Sequence, residues 1–243
     1  MKEFPKKIIV LANEFFSLFY NKRDEYDSLK DWQYYLRFGI DINKPARPVF
    51  DKEKLEKAYL KAWENRDFEI NKFWTRAAYF WGFIVLIFGG YITILTGEHS
   101  KDAIKMHLDL YLLQLGWLFS VTWYLAIRGS KAWQRNWEAH IDYLENYVSG
   151  PIYKTVFYPG KNFYSVSKLN EVMSVVVIMV WFGLILQHIL SYNFANPFNK
   201  NDNIDWYVTL SICFTILFSL SLRLGYCLGD YRSETNRFFD RWG

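Results

Sequence analysis

Residues 77–96 read AAYFWGFIVLIFGGYITILT, twenty positions without an Asp, Glu, Lys, Arg or His. As an α-helix such a run rises about 30 Å, the thickness of a bilayer's hydrocarbon core, and it predicts a membrane span. Three further apolar windows, 108–127, 172–192 and 206–226, are each long enough to cross. They are apolar all round rather than alternating, which excludes a β-barrel. The mean hydropathy of the whole chain is only −0.09. Averaging apolar spans with charged segments hides both, so the windows decide the class. The expectation is an all-α integral membrane protein with four transmembrane helices, whose helical extensions form a cytoplasmic domain.

The basic residues set the orientation. Sixteen Lys and Arg precede residue 77, two lie between the first and second spans, six in the central loop, one between the third and fourth, and four from Arg223 onward. Basic residues near span ends stay in the cytoplasm. Both termini and the loop 128–171 are therefore expected inside, and the short loops 97–107 and 193–205 outside. Aromatic residues agree, with Trp74, Tyr79, Trp81 and Trp123 at the inner interface and Tyr111, Trp206 and Tyr207 at the outer one. Residues 8–11 are too short an apolar run for a cleavable signal and Glu14 follows, so the first span is expected to direct its own insertion.

Around the spans, residues 1–50 read as an N-terminal cytoplasmic helical segment. It has one apolar stripe at Ile8, Leu11, Phe15, Leu18 and Phe19 and another at Leu29, Trp32, Tyr35 and Leu36. Residues 39–50 carry two prolines and read as a connector, with Asp51 a candidate cap for the next helix. Residues 51–76 form a cytoplasmic shaft continuous with the first span, since no Pro or Gly falls between Phe50 and Trp81. Residues 128–170 contain a second shaft, with Trp133, Trp137, Ile141, Leu144 and Val148 on its apolar face, ended by Gly150-Pro151. A β-prone patch, YKTVFYPG, follows at 153–160, and a short tail at 227–243 closes the chain.

No Walker loop, dinucleotide fingerprint, nucleophile elbow, zinc-protease helix or cysteine cluster occurs, so neither catalysis nor a cofactor is expected. Cys213 and Cys227 are about 21 Å apart by helical rise, beyond disulfide reach. His140 has no acidic, His or Cys residue three or four positions away, so no metal is expected there, and Glu138, Asp142 and Glu145 read as a solvated face. The net charge of +4 fits anionic lipid heads or an anionic cytosolic ligand.

The fourth span carries Ser211, Thr215, Ser219 and Arg223 at steps of four, which keeps them on one side of the helix. One reading is a pore wall with Arg223 at its cytoplasmic mouth, joined by Gln114 from the second span. The other is close helix packing, with Arg223 snorkelling to lipid heads. Gln114 and His188 are expected to bond neighbouring helices, and Ala78, Gly82, Gly89 and Gly90 offer the first span places for close contact. The cations Lys22, Arg23, Arg37, Lys44 and Arg47, with Trp32 among the interleaved aromatics, read either as solvated surface or as a site for a cytosolic nucleotide or oligonucleotide.

Three stretches carry a family resemblance: ENRDFEINKFWTRAAYFWGFI at 64–84, SKAWQRNWEAHIDYLE at 130–145 and FYSVSKLN at 163–170. Together they resemble the RipA family of bacterial octameric membrane proteins, over roughly 50–181. The resemblance implies an oligomer of the bacterial inner membrane and brings no catalytic residues. The functional expectation is a homo-oligomeric, ligand-gated ion-conducting pore or membrane-depolarising effector in antiphage defence or stress response. The alternatives are a non-conducting oligomeric scaffold for stress adaptation and, more distantly, an integral membrane enzyme.

Overall fold

Between Phe50 and Trp81 nothing in the sequence interrupts a helix, and in the computed structural model the first span and its shaft are one helix. The structure describes residues 26–41, 52–98, 100–157, 164–191, 206–224 and 239–241. In chain order the elements are β1 (Tyr26–Ser28), α1 (Asp31–Arg37), α2 (Lys52–Thr96), α3 (Ser100–Lys105), α4 (Leu108–Val148), α5 (Val166–Ser191), α6 (Trp206–Leu224) and β2 (Phe239–Arg241). The 45 residues of α2 and the 41 of α4 correspond to about 68 Å and 62 Å of helix, about twice what a hydrocarbon core needs.

The chain divides into a membrane unit, drawn from Trp74–Arg128 and Tyr164–Leu228, and an extension unit, drawn from Lys22–Phe73, Gly129–Phe163 and Gly229–Gly243. Within the membrane unit, α4 supplies the buried Leu110, Leu113, Trp123 and Ile127, α2 supplies Ile84, α5 supplies Trp181 and α6 supplies Val208. The Trp81 ring of α2 meets that of Trp123 at 5.3 Å, and Trp181 stands over Gly116 of α4. The span of α4 is the most enclosed and those of α2 and α5 are largely bare. His107 turns the chain from α3 into α4 with φ 57°, a left-handed conformation that a non-glycine residue adopts at a cost.

Among the described residues three helices, α2, α4 and α5, are long and apolar enough to cross a membrane, which makes this a multi-pass membrane protein. The apolar part of α6 among the described residues, Val208–Leu222, is shorter.

Within the extension unit, Tyr34 and Ile40 pack on Leu55, Tyr59 and Ala62 of α2 and on Ile141 and Leu144 of α4. Two expectations change here. The described residues are not wholly helical, because β1 and β2 pair antiparallel with Tyr26 opposite Arg241 and Ser28 opposite Phe239. Three-residue strands are too short to show alternation in sequence. The second N-terminal stripe is also displaced: Trp32 and Leu36 are exposed, while Tyr34 between them is buried. A helix of two turns buries only the side chain aimed at its neighbour, and Tyr34 is the one that meets His140 of α4. The stripe from Ile8 to Phe19, Asp51 and the tail 227–238 lie outside the described residues.

Candidate interhelical polar sites

In a membrane a serine or threonine hydroxyl on a helix satisfies its donor by bonding the carbonyl three or four residues back, which leaves its oxygen free to accept. On α6, Ser211 donates to the Val208 carbonyl at 2.9 Å, Thr215 to the Ser211 carbonyl at 3.0 Å and Ser219 to the Thr215 carbonyl at 2.8 Å. Two of these oxygens then accept from α4. Gln114 Nε2 donates to Ser211 Oγ at 3.1 Å, and Trp117 Nε1 to Ser219 Oγ at 2.9 Å. Thr215, midway between them, is buried. The stripe is thus a polar zipper between α4 and α6 within one protomer. Arg223 belongs to α6, but its side chain is outside the described residues. Trp117 was not singled out in the sequence, although it stands three residues from Gln114 on the same face.

A second polar contact joins α4 to α5. Asp109, in the first turn of α4, lies 3.3 Å from Nδ1 of His188 in the last turn of α5. Their side chains are 6% and 10% exposed. A carboxylate at a helix N-terminus and an imidazole at a helix C-terminus each sit in the favourable end of the helix dipole. Asp109 Oδ1 is buried without a hydrogen-bond donor. Sequence reasoning placed His188 against a neighbouring helix without identifying Asp109, because pairing across 79 residues has no local signature.

In the extension unit, Tyr34 Oη and His140 Nδ1 are hydrogen-bonded at 2.8 Å. Burial lowers the His140 pKa to about 4 and raises that of the Tyr34 phenol, so both are neutral at pH 7. Burial and the neighbouring Tyr147, Tyr143 and Asp31 push Tyr35 up to about 12. Trp137 and Phe38 complete the aromatic wall around the imidazole.

The expected solvated face of Glu138, Asp142 and Glu145 is corrected at Glu145, which is fully buried. Its carboxylate accepts the backbone N–H groups of Tyr153 at 2.6 Å and Lys154 at 3.2 Å, with Lys154 Nζ at 3.7 Å. That capture folds the described part of the β-prone patch into a turn rather than a strand. Glu138 lies 3.6 Å from Arg66, whose guanidinium stacks over Trp63 and Tyr153. Asp142 is partly buried and its pKa is raised, chiefly by desolvation.

Of the candidate ligand-binding residues, Trp32 and Arg37 are exposed at opposite ends of α1. Five residues of helix separate them by about 140°, so they do not share a face. Lys22, Arg23, Lys44 and Arg47 lie outside the described residues.

The sequence model of the octameric membrane protein family (8xMP) matches residues 56–191. This stretch includes most of α2, all of α3 and α4, and all of α5. No curated protein and no solved structure matches the chain.

Proposed function

The chain belongs to the octameric membrane protein family, and from that premise we propose that it is a non-catalytic homo-octameric scaffold of the bacterial inner membrane. In this reading it crosses the membrane four times with α6 as the last span, and both termini and the extension unit lie in the cytoplasm. The observation that carries the reading is where the polar side chains of the spans go. Gln114, Trp117, Ser211 and Ser219 bond one another across α4 and α6, and Asp109 faces His188. Most of what remains exposed on the spans is apolar, including Leu86, Met179 and Leu210. The exposed Thr93 and Thr96 bond back to carbonyls of their own helix, and Gln187 of α5 is an exposed polar exception. A passage walled by the apolar residues dewets and does not conduct.

A second reading, a ligand-gated pore acting as a depolarising effector in antiphage defence or stress response, draws on the same zipper. Were α6 to part from α4, Gln114, Ser211, Thr215 and Ser219 would become a continuous polar line, with Arg223 further along the helix. The cytosolic ligand would be a nucleotide or oligonucleotide held by the basic, aromatic N-terminal segment. Ion flux through liposomes carrying the full-length protein separates the two, measured alone and with nucleotides or short oligonucleotides added. The scaffold reading expects no flux in any condition. Flux that changes in Gln114→Leu or Ser219→Ala overturns it in favour of the pore.

A further inference from the structure

We propose that β1 and β2 form a weak clasp, fastening the segment that follows α6 to the strand that leads into α1, and that the like charges of Asp27 and Asp240 set how readily it opens. The strands pair antiparallel with Tyr26 opposite Arg241, Asp27 opposite Asp240 and Ser28 opposite Phe239. Only Leu29 and Lys30 separate β1 from α1, whose Tyr34 bonds His140 of α4. The closed clasp therefore ties the chain after α6 into the extension unit that α1 helps to build. Two features keep it weak. A ladder of two three-residue strands is marginal by itself in water. At its centre Asp27 and Asp240 share one register position, and like charges directly opposite each other weaken an antiparallel pair. Arg241, the one cation in either strand, stands at the next position and so belongs to the other face. Neutralising either aspartate, or screening both with salt, tightens the clasp.

The clasp also constrains how the chain threads the bilayer. β1 precedes α2 and β2 follows α6. Two strands that hydrogen-bond each other occupy the same aqueous side, so an even number of crossings must lie between them. The helices α2, α4 and α5 make three. Among the described residues the apolar helix left between α5 and β2 is α6, whose 19 residues rise about 28 Å. The clasp thus rests on the four-span reading, though the two fail differently under test.

The test is disulfide crosslinking of the full-length protein in membranes, in a Cys213→Ser, Cys227→Ser background so that introduced cysteines are the only thiols. Paired residues of an antiparallel ladder have Cα atoms about 4.5–5.5 Å apart, within disulfide range. Ser28→Cys with Phe239→Cys is therefore expected to form a disulfide within one chain on mild oxidation. Ser28→Cys with Arg241→Cys, two positions off register, is expected to crosslink less. Adding Asp240→Asn, or raising the salt, is expected to increase the in-register yield over the off-register one by up to about fivefold. Should Phe239→Cys lose helicity by circular dichroism, Tyr26→Cys with Arg241→Cys decides in its place. Disulfides that join two chains only, or none while a membrane-impermeant maleimide reaches both cysteines from one side, overturn the clasp and leave four crossings standing. Cysteines reached from opposite sides overturn the four-span reading and the clasp with it. A yield that neither Asp240→Asn nor salt alters overturns the role given to the two charges.

Discussion

Gly116, in the middle of the α4 span, gives the most direct test of the packing in the membrane unit. A Cβ added there would stand 2.5 Å from Cζ2 and 2.6 Å from Cδ2 of Trp181, and closer still to Cε2. The indole cannot swing away, because Trp181 has no exposed surface and its ring lies 4.6 Å from that of Phe88. Overpacking a rigid core costs about 1–3 kcal/mol, and three ring atoms in conflict put Gly116→Ala near the top of that range. Alanine in place of glycine returns about 1 kcal/mol of helix propensity, which leaves a net loss of about 2 kcal/mol. For a chain of this size that corresponds to a melting temperature lower by about 4–8 °C in detergent.

Gly183→Ala on α5 is the matched control, since a Cβ there meets nothing within 4 Å. It is expected to raise stability by up to about 1 kcal/mol. Trp181→Phe removes the benzo ring that carries the three conflicting atoms. In that background the penalty of Gly116→Ala should shrink, giving a coupling energy of about 1 kcal/mol or more. If Gly116→Ala melts at or above the parent, or costs the same with Phe at 181, the packing assigned to α4 and α5 is wrong.

Two other perturbations follow from buried titratable groups. His140 is neutral in the folded state down to about pH 4, whereas an unfolded imidazole takes up its proton near 6.5. Stability should therefore fall as pH drops from 6.5 to about 4, by about 3 kcal/mol from this group, and chemical unfolding should show a shallower fall across that window in His140→Phe. In the membrane unit, His188→Ala strands the Asp109 carboxylate in an apolar surround and is expected to cost about 3–5 kcal/mol. The double variant D109L/H188L, with an apolar contact in place of the pair, should melt within about 1 kcal/mol of the parent. A single variant as stable as the double one would refute the buried contact.

The spans were legible because lipid imposes a long-range rule on a local pattern. Helical rise and the absence of charge are enough to read residues 77–96 without knowing any neighbour. The same locality made α2 readable as a helix of 45 residues, since nothing between Phe50 and Trp81 could break it. At the candidate polar sites the step of four that links Ser211, Thr215 and Ser219 was visible, but a pore wall and a packed seam present the same step. Within the protomer two of these hydroxyls accept hydrogen bonds from α4, and those donors lie about a hundred residues away.

What the amino-acid order fixed alone is therefore that α2, α4 and α5 can cross lipid, and the type and approximate length of each of these helices, because both depend on residues within a turn or two. Which side each helix turns inward was decided only when α4 met its neighbours. Glu145 shows why: in the linear pattern it is one more acidic residue beside Asp142, yet a turn eight residues later brings two backbone N–H groups to its carboxylate and lets it be buried. Burial of a charge depends on the donors gathered around it, and only the folded chain gathers them.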